Sequence, residues 1–236
     1  MDNNQLLINL EKISFGYPGQ KLILDNVDLK LHKGEKIGLL GSNGSGKTTL
    51  FHIIMGLLKP LSGKIEIFEE KMIKEKDFKN IYQKIGLLFQ DADDQLFSPT
   101  VLEDVAFGPL NLNKTKDEAV AIAKKTLNYL GLYDFENRIT HKLSGGEKRL
   151  VALATVLAMG PEVLLLDEPS TGLDNRTKKT LVQVLQSLDI SYILISHEKK
   201  FISDLTNSLY IIEDSHLSTW KMTHDHFHTH PHITHD

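Results

Sequence analysis

Two short stretches of this chain carry groups that could work on a phosphate. Gly41 to Thr49 reads GSNGSGKTT, and Val163 to Ser170 reads VLLLDEPS. In the first, Gly41, Gly46, Lys47 and Thr48 fall at the spacing G-x-x-x-x-G-K-[ST]. Glycines let successive backbone N–H groups turn toward one anion, because only glycine takes the required angles without strain. Lys47 is expected to reach the β- and γ-phosphates of a nucleotide, and Thr48 to hold Mg²⁺ through its hydroxyl. Ser42, Asn43, Gly44, Ser45 and Thr49 belong to the same candidate loop. In the second stretch four apolar residues precede two carboxylates, so the acids emerge at the C-terminal end of a buried strand, where ligands bind in such sheets. Asp167 is expected to support the Mg²⁺, and Glu168 to orient or deprotonate an attacking water. Either stretch alone fits an ordinary turn; together they describe a site for nucleotide hydrolysis.

Elements able to hold these groups are legible around them. EKIGLLG reads as a buried strand that ends in the glycine-rich loop and opens a helix from about Lys47 to Leu58. Upstream, LLINLEKISF and LILDNVDLKL carry apolar residues at near-alternate positions, with YPGQ and HKGE as turns between strands. GKIEIF and KIGLLFQ are expected as a further strand pair. From Val101 to Met159 the pattern turns helical. TKDE (Thr115 to Glu118) is a capping box, and Val120, Ala123, Leu127 and Leu130 behind it fall on one helix face. The last third alternates again: strand VLLLD, a helix around Leu181 to Leu188, strand YILIS, a short helix and strand SLYIIE. Strands separated by helices imply parallel pairing with right-handed crossovers. The expected fold is α/β, with an N-terminal antiparallel β subdomain and a helical subdomain inserted at about 92–160. The folded part is expected over 1–215, with a tail over 216–236.

LSGGEKR, Leu143 to Arg149, has a structural reading as a second capping box, Ser144 to Glu147, ahead of the helix RLVALATVLAM. Gly145 and Gly146 in its first turn also leave bare N–H groups, which is the chemistry of an anion site. At this point the chain resembles the ABC-transporter ATPases from Ile8 to about Leu217. The motifs occur in order: GSNGSGKTT, Gln90 at the end of a strand, LSGGE, VLLLDEP, STGLD and His197 after a strand. The resemblance implies a P-loop ABC-ATPase core that binds ATP with Mg²⁺ and hydrolyses it. It implies that Ser144 and Gly146, with Gly145 and Glu147 in the same loop, meet the γ-phosphate held by another subunit. Two chains would then enclose two ATPs. Tyr17 in FGYPG is similar to the aromatic that stacks on adenine. Gln90 is similar to the residue that links Mg²⁺ and water to a membrane partner, and His197 to a sensor of the γ-phosphate. Asp174 in STGLD would lie in the loop crossing the dimer interface, although Asp there also caps the next helix. Glu147 stands where many members of that family have Gln; the capping geometry accepts either, so no loss of activity is expected.

Phe89 to Leu112, FQDADDQLFSPTVLEDVAFGPLNL, is similar to the corresponding segment of energy-coupling-factor importers, where it helps form the groove for helices of a membrane-embedded coupling subunit. That resemblance implies a peripheral protein at the cytoplasmic face of the cell membrane. Its implied partners are a second copy or a related ATPase, a transmembrane coupling subunit and a metal-binding membrane subunit. The implied cargo is cobalt or nickel, with a biotin-like vitamin or zinc as the alternative. A non-transport ABC ATPase would call for a coiled-coil insertion, a duplicated cassette or a basic surface, and the sequence shows none of these.

The bulk numbers agree. Lys and Arg number 27 against 31 Asp and Glu, a net charge of −4 that gives no sign of a nucleic-acid partner. The absence of cysteine excludes disulfides and thiolate metal sites. No apolar run approaches the ~20 residues of a membrane span, and the N-terminus has no basic segment ahead of an apolar one, so no signal peptide is expected. The chain ends THDHFHTHPHITHD. His224, His226, His228, His230 and His232 alternate, with Asp225 and His235 beside them. Interleaved Asp, Thr, Phe and Pro distinguish this from the unbroken run of a tag, and imidazole suits nickel, copper, zinc and, more weakly, cobalt. The tail is read as metal-handling, with an idle end or an artefact as the alternatives.

Overall fold

The computed structural model describes residues 5–220. The chain opens with β1 (Leu6–Phe15) and β2 (Leu24–His32), paired antiparallel. In β2 the alternation is clean from Val27 on: Val27, Leu29 and Leu31 are buried while Asp28 and Lys30 are not, and the buried Leu24 lies one residue out of step, across Asn26 with its φ of 49°. β3 (Lys36–Gly41) then runs into the glycine-rich loop, and α1 (Lys47–Ile54) leaves it. α1 stops four residues short of the expected Leu58. Gly56 takes a φ of 69°, the left-handed turn that ends helices, and a Cβ there would lie 2.5 Å from the Phe78 ring.

β4 (Ser62–Ile67) and the short β5 (Glu70–Lys71) return to the first sheet, whose order is β2-β1-β4-β5. β6 (Ile85–Leu88) does not pair with β4 as expected; it lies at the edge of a second sheet, parallel to a later strand. The burial patterns give the reason. β4 begins with three exposed residues, Ser62 to Lys64, whereas Ile85, Gly86 and Leu88 of β6 are buried and Leu87 is half-buried, as parallel strands covered on both faces require.

Three helices follow: α2 (Val101–Asn111), α3 (Lys116–Tyr129) and α4 (Gly145–Leu157). Each is opened by a capping box, at Thr100/Glu103, Thr115/Glu118 and Ser144/Glu147. The inner face of α3 and its end is Ala119, Ala123, Leu127 and Leu130; Val120, expected in that stripe, is only half-buried. β7 (Val163–Asp167), α5 (Asn175–Ser187), β8 (Ser191–Ile195), α6 (Lys199–Leu205), β9 (Ser208–Glu213) and β10 (His216–Trp220) complete the described chain. The second sheet has the order β10-β9-β3-β8-β7-β6 and is parallel except for β10. β10 lies within the segment expected to be tail. His216 to Trp220 pair with Glu213 to Leu209, so the sheet runs five residues past the expected boundary.

The parallel sheet is covered on both sides. Val163 and Leu165 of β7, with Ile193 and Ile195 of β8, face a core shared with α1 and the antiparallel sheet. Leu164, Leu166, Tyr192 and Leu194 face the opposite core, built with α4, α5 and α6. The α/β architecture, with its N-terminal antiparallel sheet, is the one read from the sequence. The strand ends that carry Gly41, Asp167 and Ile195 therefore reach the same edge of one rigid layer.

Candidate active site

The loop between β3 and α1 is shaped for an anion. Gly46, the N-cap of α1, has a φ of 104°, a Cβ there would lie 2.7 Å from Ile23, and no side chain caps the helix. No acidic residue stands in the first turn of α1. The first N–H groups and the positive end of the helix dipole are thus left for a ligand. Lys47 is buried at 7% exposure and its Nζ donates to Gly41 O and Ser42 O, both at 2.8 Å. Burial lowers the Lys47 pKa, and the charges of Glu168 and Asp167 oppose that shift. The two carbonyls occupy the ammonium that phosphate oxygens would take.

Across the loop, Thr48 Oγ1 donates to Asp167 Oδ2 at 2.7 Å. Asp167 is 3% exposed; burial raises its pKa, and the Thr48 hydroxyl and Lys47 work against the rise. A hydroxyl and a carboxylate in contact, both oxygen donors, suit a hard cation such as Mg²⁺. Glu168 follows at a φ of 47° and is 5% exposed. Its Oε2 accepts from Thr171 Oγ1 at 3.2 Å. His197 Nε2 lies 2.9 Å from Oε1, which otherwise has no hydrogen-bond donor among the described residues. A buried carboxylate oxygen with no donor is costly unless something polar comes to meet it.

Tyr17, Asn43, Gly44, Gly46, Lys47, Thr48, Thr49, Gln90, Asp167, Glu168 and His197 line one cleft of about 360 Å³. Gly41, Ser42 and Ser45 do not line it; Gly41 and Ser42 are tied to it by the Lys47 bonds, and Ser45 by the turn in which its N–H donates to Ser42 O. Tyr17 is exposed at the mouth, its ring perpendicular to that of Phe15 with centroids 5.1 Å apart. A larger groove, 910 Å³, runs between Leu57–Glu66 and Lys71–Phe78, but no buried polar or charged group lines it. The chemistry lies in the smaller cleft.

Ser144, Gly145, Gly146 and Glu147 line none of that cleft. They open α4 on another face. Ser144 N and Oγ donate to Glu147 Oε2 at 2.8 and 2.9 Å, and Glu147 N donates back to Ser144 Oγ at 3.3 Å. A Cβ on Gly146 would lie 3.4 Å from Thr177, so this loop abuts the start of α5. Asp174 caps that helix, accepting from Arg176 N and Thr177 N. The structure thus gathers the candidate residues into two clusters: the cleft, and a separate surface made by Ser144–Glu147 and Asp174. The histidines 224–232 lie outside the described residues.

Several contributors carry no local signal. Arg149 Nη1 donates to Phe89 O at 3.0 Å and to Gln90 O, which anchors Gln90 to α4. Glu198 accepts from Ser170 Oγ at 2.8 Å and from Lys178 Nζ at 2.6 Å, which ties the segment after His197 to the loop after Glu168 and to α5. A buried Arg on the apolar face of a helix is a hint that it has a specific partner, but the partner itself becomes visible only in the fold.

The chain is similar to known proteins. The family model described as ABC transporter matches residues 24–171. The energy-coupling factor transporter ATP-binding protein EcfA of Methanothermobacter thermautotrophicus is 41% identical over 215 residues, spanning 89% of this chain and 69% of that protein. Among solved structures, cbiO1 from Clostridium perfringens, described as part of the ABC transporter complex cbiONQ, superposes with a TM-score of 0.81 at 32% identity, over 91% of this chain and 88% of its own. The ATP-binding cassette MJ0796, solved as a dimer in a post-hydrolysis state with ADP and Pi, gives a TM-score of 0.83 at 27% identity, over 92% and 99%.

Proposed function

Because this chain belongs to the ABC transporters, as an ATP-hydrolysing subunit of the energy-coupling-factor group, we propose that it powers import of a transition metal ion, cobalt or nickel, by closing and reopening a pair of such subunits on ATP. The observation that carries the catalytic part is the meeting of the two strand-end carboxylates with the phosphate loop: Thr48 against Asp167 at 2.7 Å, and a buried Glu168 oxygen with no donor besides His197 among the described residues.

In this reading the nucleotide's phosphates displace Gly41 O and Ser42 O from Lys47, and Tyr17 stacks on the base. Thr48, Asp167 and Gln90 would hold Mg²⁺, which would supply positive charge to offset that of the phosphates. Glu168 Oε1 takes a proton from water as the water oxygen attacks the γ-phosphorus. The bond to the bridging oxygen breaks, and ADP and phosphate leave. His197, beside Glu168, contacts the γ-phosphate. Ser144 and Gly146 reach the γ-phosphate of the other subunit, which accounts for their standing away from their own cleft.

A transmembrane coupling subunit docks beside Gln90, on the exposed edge-to-face pair Phe97 and Phe107, whose centroids are 4.8 Å apart, and on exposed Leu110. A metal-binding membrane subunit completes the transporter, and the chain sits at the cytoplasmic face of the membrane. The alternating histidines after the described residues favour a metal cargo over a vitamin. The test is uptake by the reconstituted transporter. ATP-driven Co²⁺ or Ni²⁺ uptake is expected, abolished by Glu168→Gln and altered by removal of 221–236. Uptake of biotin but of neither metal would contradict the cargo.

A further inference from the structure

Arg138 belongs to none of the nucleotide motifs, yet its Nη1 lies 2.6 Å from Glu147 Oε1. The guanidinium stacks on Phe135, 4.1 Å from the ring centroid. Its backbone is fixed as well. Val101 N donates to Arg138 O at 3.1 Å, Arg138 N donates to Phe135 O at 2.9 Å, and Thr140 N donates to Pro99 O at 3.1 Å. The strap before the LSGGE loop is thereby docked on the start of α2.

Glu147 needs such a partner. The Ser144 backbone N–H, first, and then the contacts with Arg138 and the Ser144 hydroxyl hold its carboxyl below the usual range, against a smaller rise from burial. It is therefore ionised at neutral pH, at the N-terminus of α4. On the reading given above, this is where a second copy presents its γ-phosphate. An uncompensated carboxylate there has two consequences. It repels the incoming anion, and its Oε2 holds the Ser144 hydroxyl as a donor, which the phosphate would have to win.

We propose that Arg138 is a positioning residue for the trans-acting LSGGE loop. Its guanidinium, pinned on Phe135, neutralises Glu147 and competes for its carboxylate, which weakens the carboxylate's repulsion of the incoming polyphosphate and its hold on the Ser144 hydroxyl. Arg suits this better than Lys because it stacks on the ring and bonds the carboxylate at once. A Gln at 147 would need no such cation.

The inference rests on the trans-site reading, and one experiment separates the two. In the hydrolysis-deficient Glu168→Gln protein at saturating ATP, the dimer dissociation constant is measured from molar mass across protein concentrations. Arg138→Ala is expected to raise it about tenfold, since two equivalent sites would each lose the roughly threefold contribution of an exposed ion pair. Adding Glu147→Gln to Arg138→Ala is expected to bring it back to within about twofold of Glu147→Gln alone, a charge dependence that packing on Phe135 would not produce. An equal penalty with Glu or Gln at 147, or no penalty at all, overturns the role of Arg138 while leaving the trans site intact. If the Glu168→Gln parent never dimerises with ATP, the trans-site reading falls, and this inference with it.

Discussion

At the scale of single residues, Asp167 has to serve a cation while buried. Its pKa is raised by burial and lowered again by Thr48 and Lys47. Mg²⁺ needs the ionised form, so protons compete with it above the ordinary carboxylate range. Mg²⁺ affinity of the ATP-bound protein, taken relative to that of free ATP and measured by calorimetry between pH 4 and 7.5, is expected to begin falling above about pH 4, the unperturbed value. A flat affinity down to about that pH would contradict the account. The same scale shows what a sequence can and cannot disclose. Lys47, Thr48, Asp167 and Glu168 announce themselves because their local order is itself the device: a glycine loop between strand and helix, two acids after an apolar run. Thr171, Arg149 and Glu198 do not. Their partners lie 3 to 60 residues away and meet them only through the folded loops and sheet.

At the scale of elements, the helix starts were the most legible and the sheet assignments the least. Capping boxes are local, so Thr115/Glu118 and Ser144/Glu147 can be read from spacing alone, and both form. Which sheet a strand joins depends on what covers its two faces, and KIGLLFQ and GKIEIF look alike until α4 is packed on β6. β10 was missed because His216 to Trp220 lacks an apolar alternation, and Thr219 and Trp220 pair through backbone bonds to Tyr210 and Leu209. The caps also carry a pH signature. Glu118 is held below its usual pKa first by the Thr115 backbone N–H and then by the Thr115 hydroxyl. A depressed folded value stabilises above the unfolded pKa of about 4.3 and is lost as pH falls through the folded value. Glu118→Gln is therefore expected to lower Tm at pH 6, with the difference closing below about pH 4. A difference that stays constant across that range would show that the charge of Glu118 does nothing for the helix start.

At the scale of the whole molecule, the decisive feature is separation. The cleft gathers Tyr17, most of the glycine-rich loop, Gln90, Asp167, Glu168 and His197, whereas Ser144–Glu147 open α4 elsewhere beside Asp174. On the proposed function, one chain presents a receiving surface it does not use and a cleft it does not close. Two chains related by a two-fold axis resolve both at once, and the dimer of the similar cassette MJ0796 with ADP and Pi is consistent with that arrangement. Phe97, Phe107 and Leu110 are exposed, and on the proposed function closure is transmitted from them to a membrane partner. The most direct test is the molar mass of the Glu168→Gln protein by light scattering, with and without ATP and Mg²⁺. The account predicts a shift from 26.6 kDa to twice that value on adding ATP, lost again when Ser144→Arg is introduced. A protein that binds ATP and stays at the mass of one chain, or that pairs equally well with Arg at 144, would contradict it.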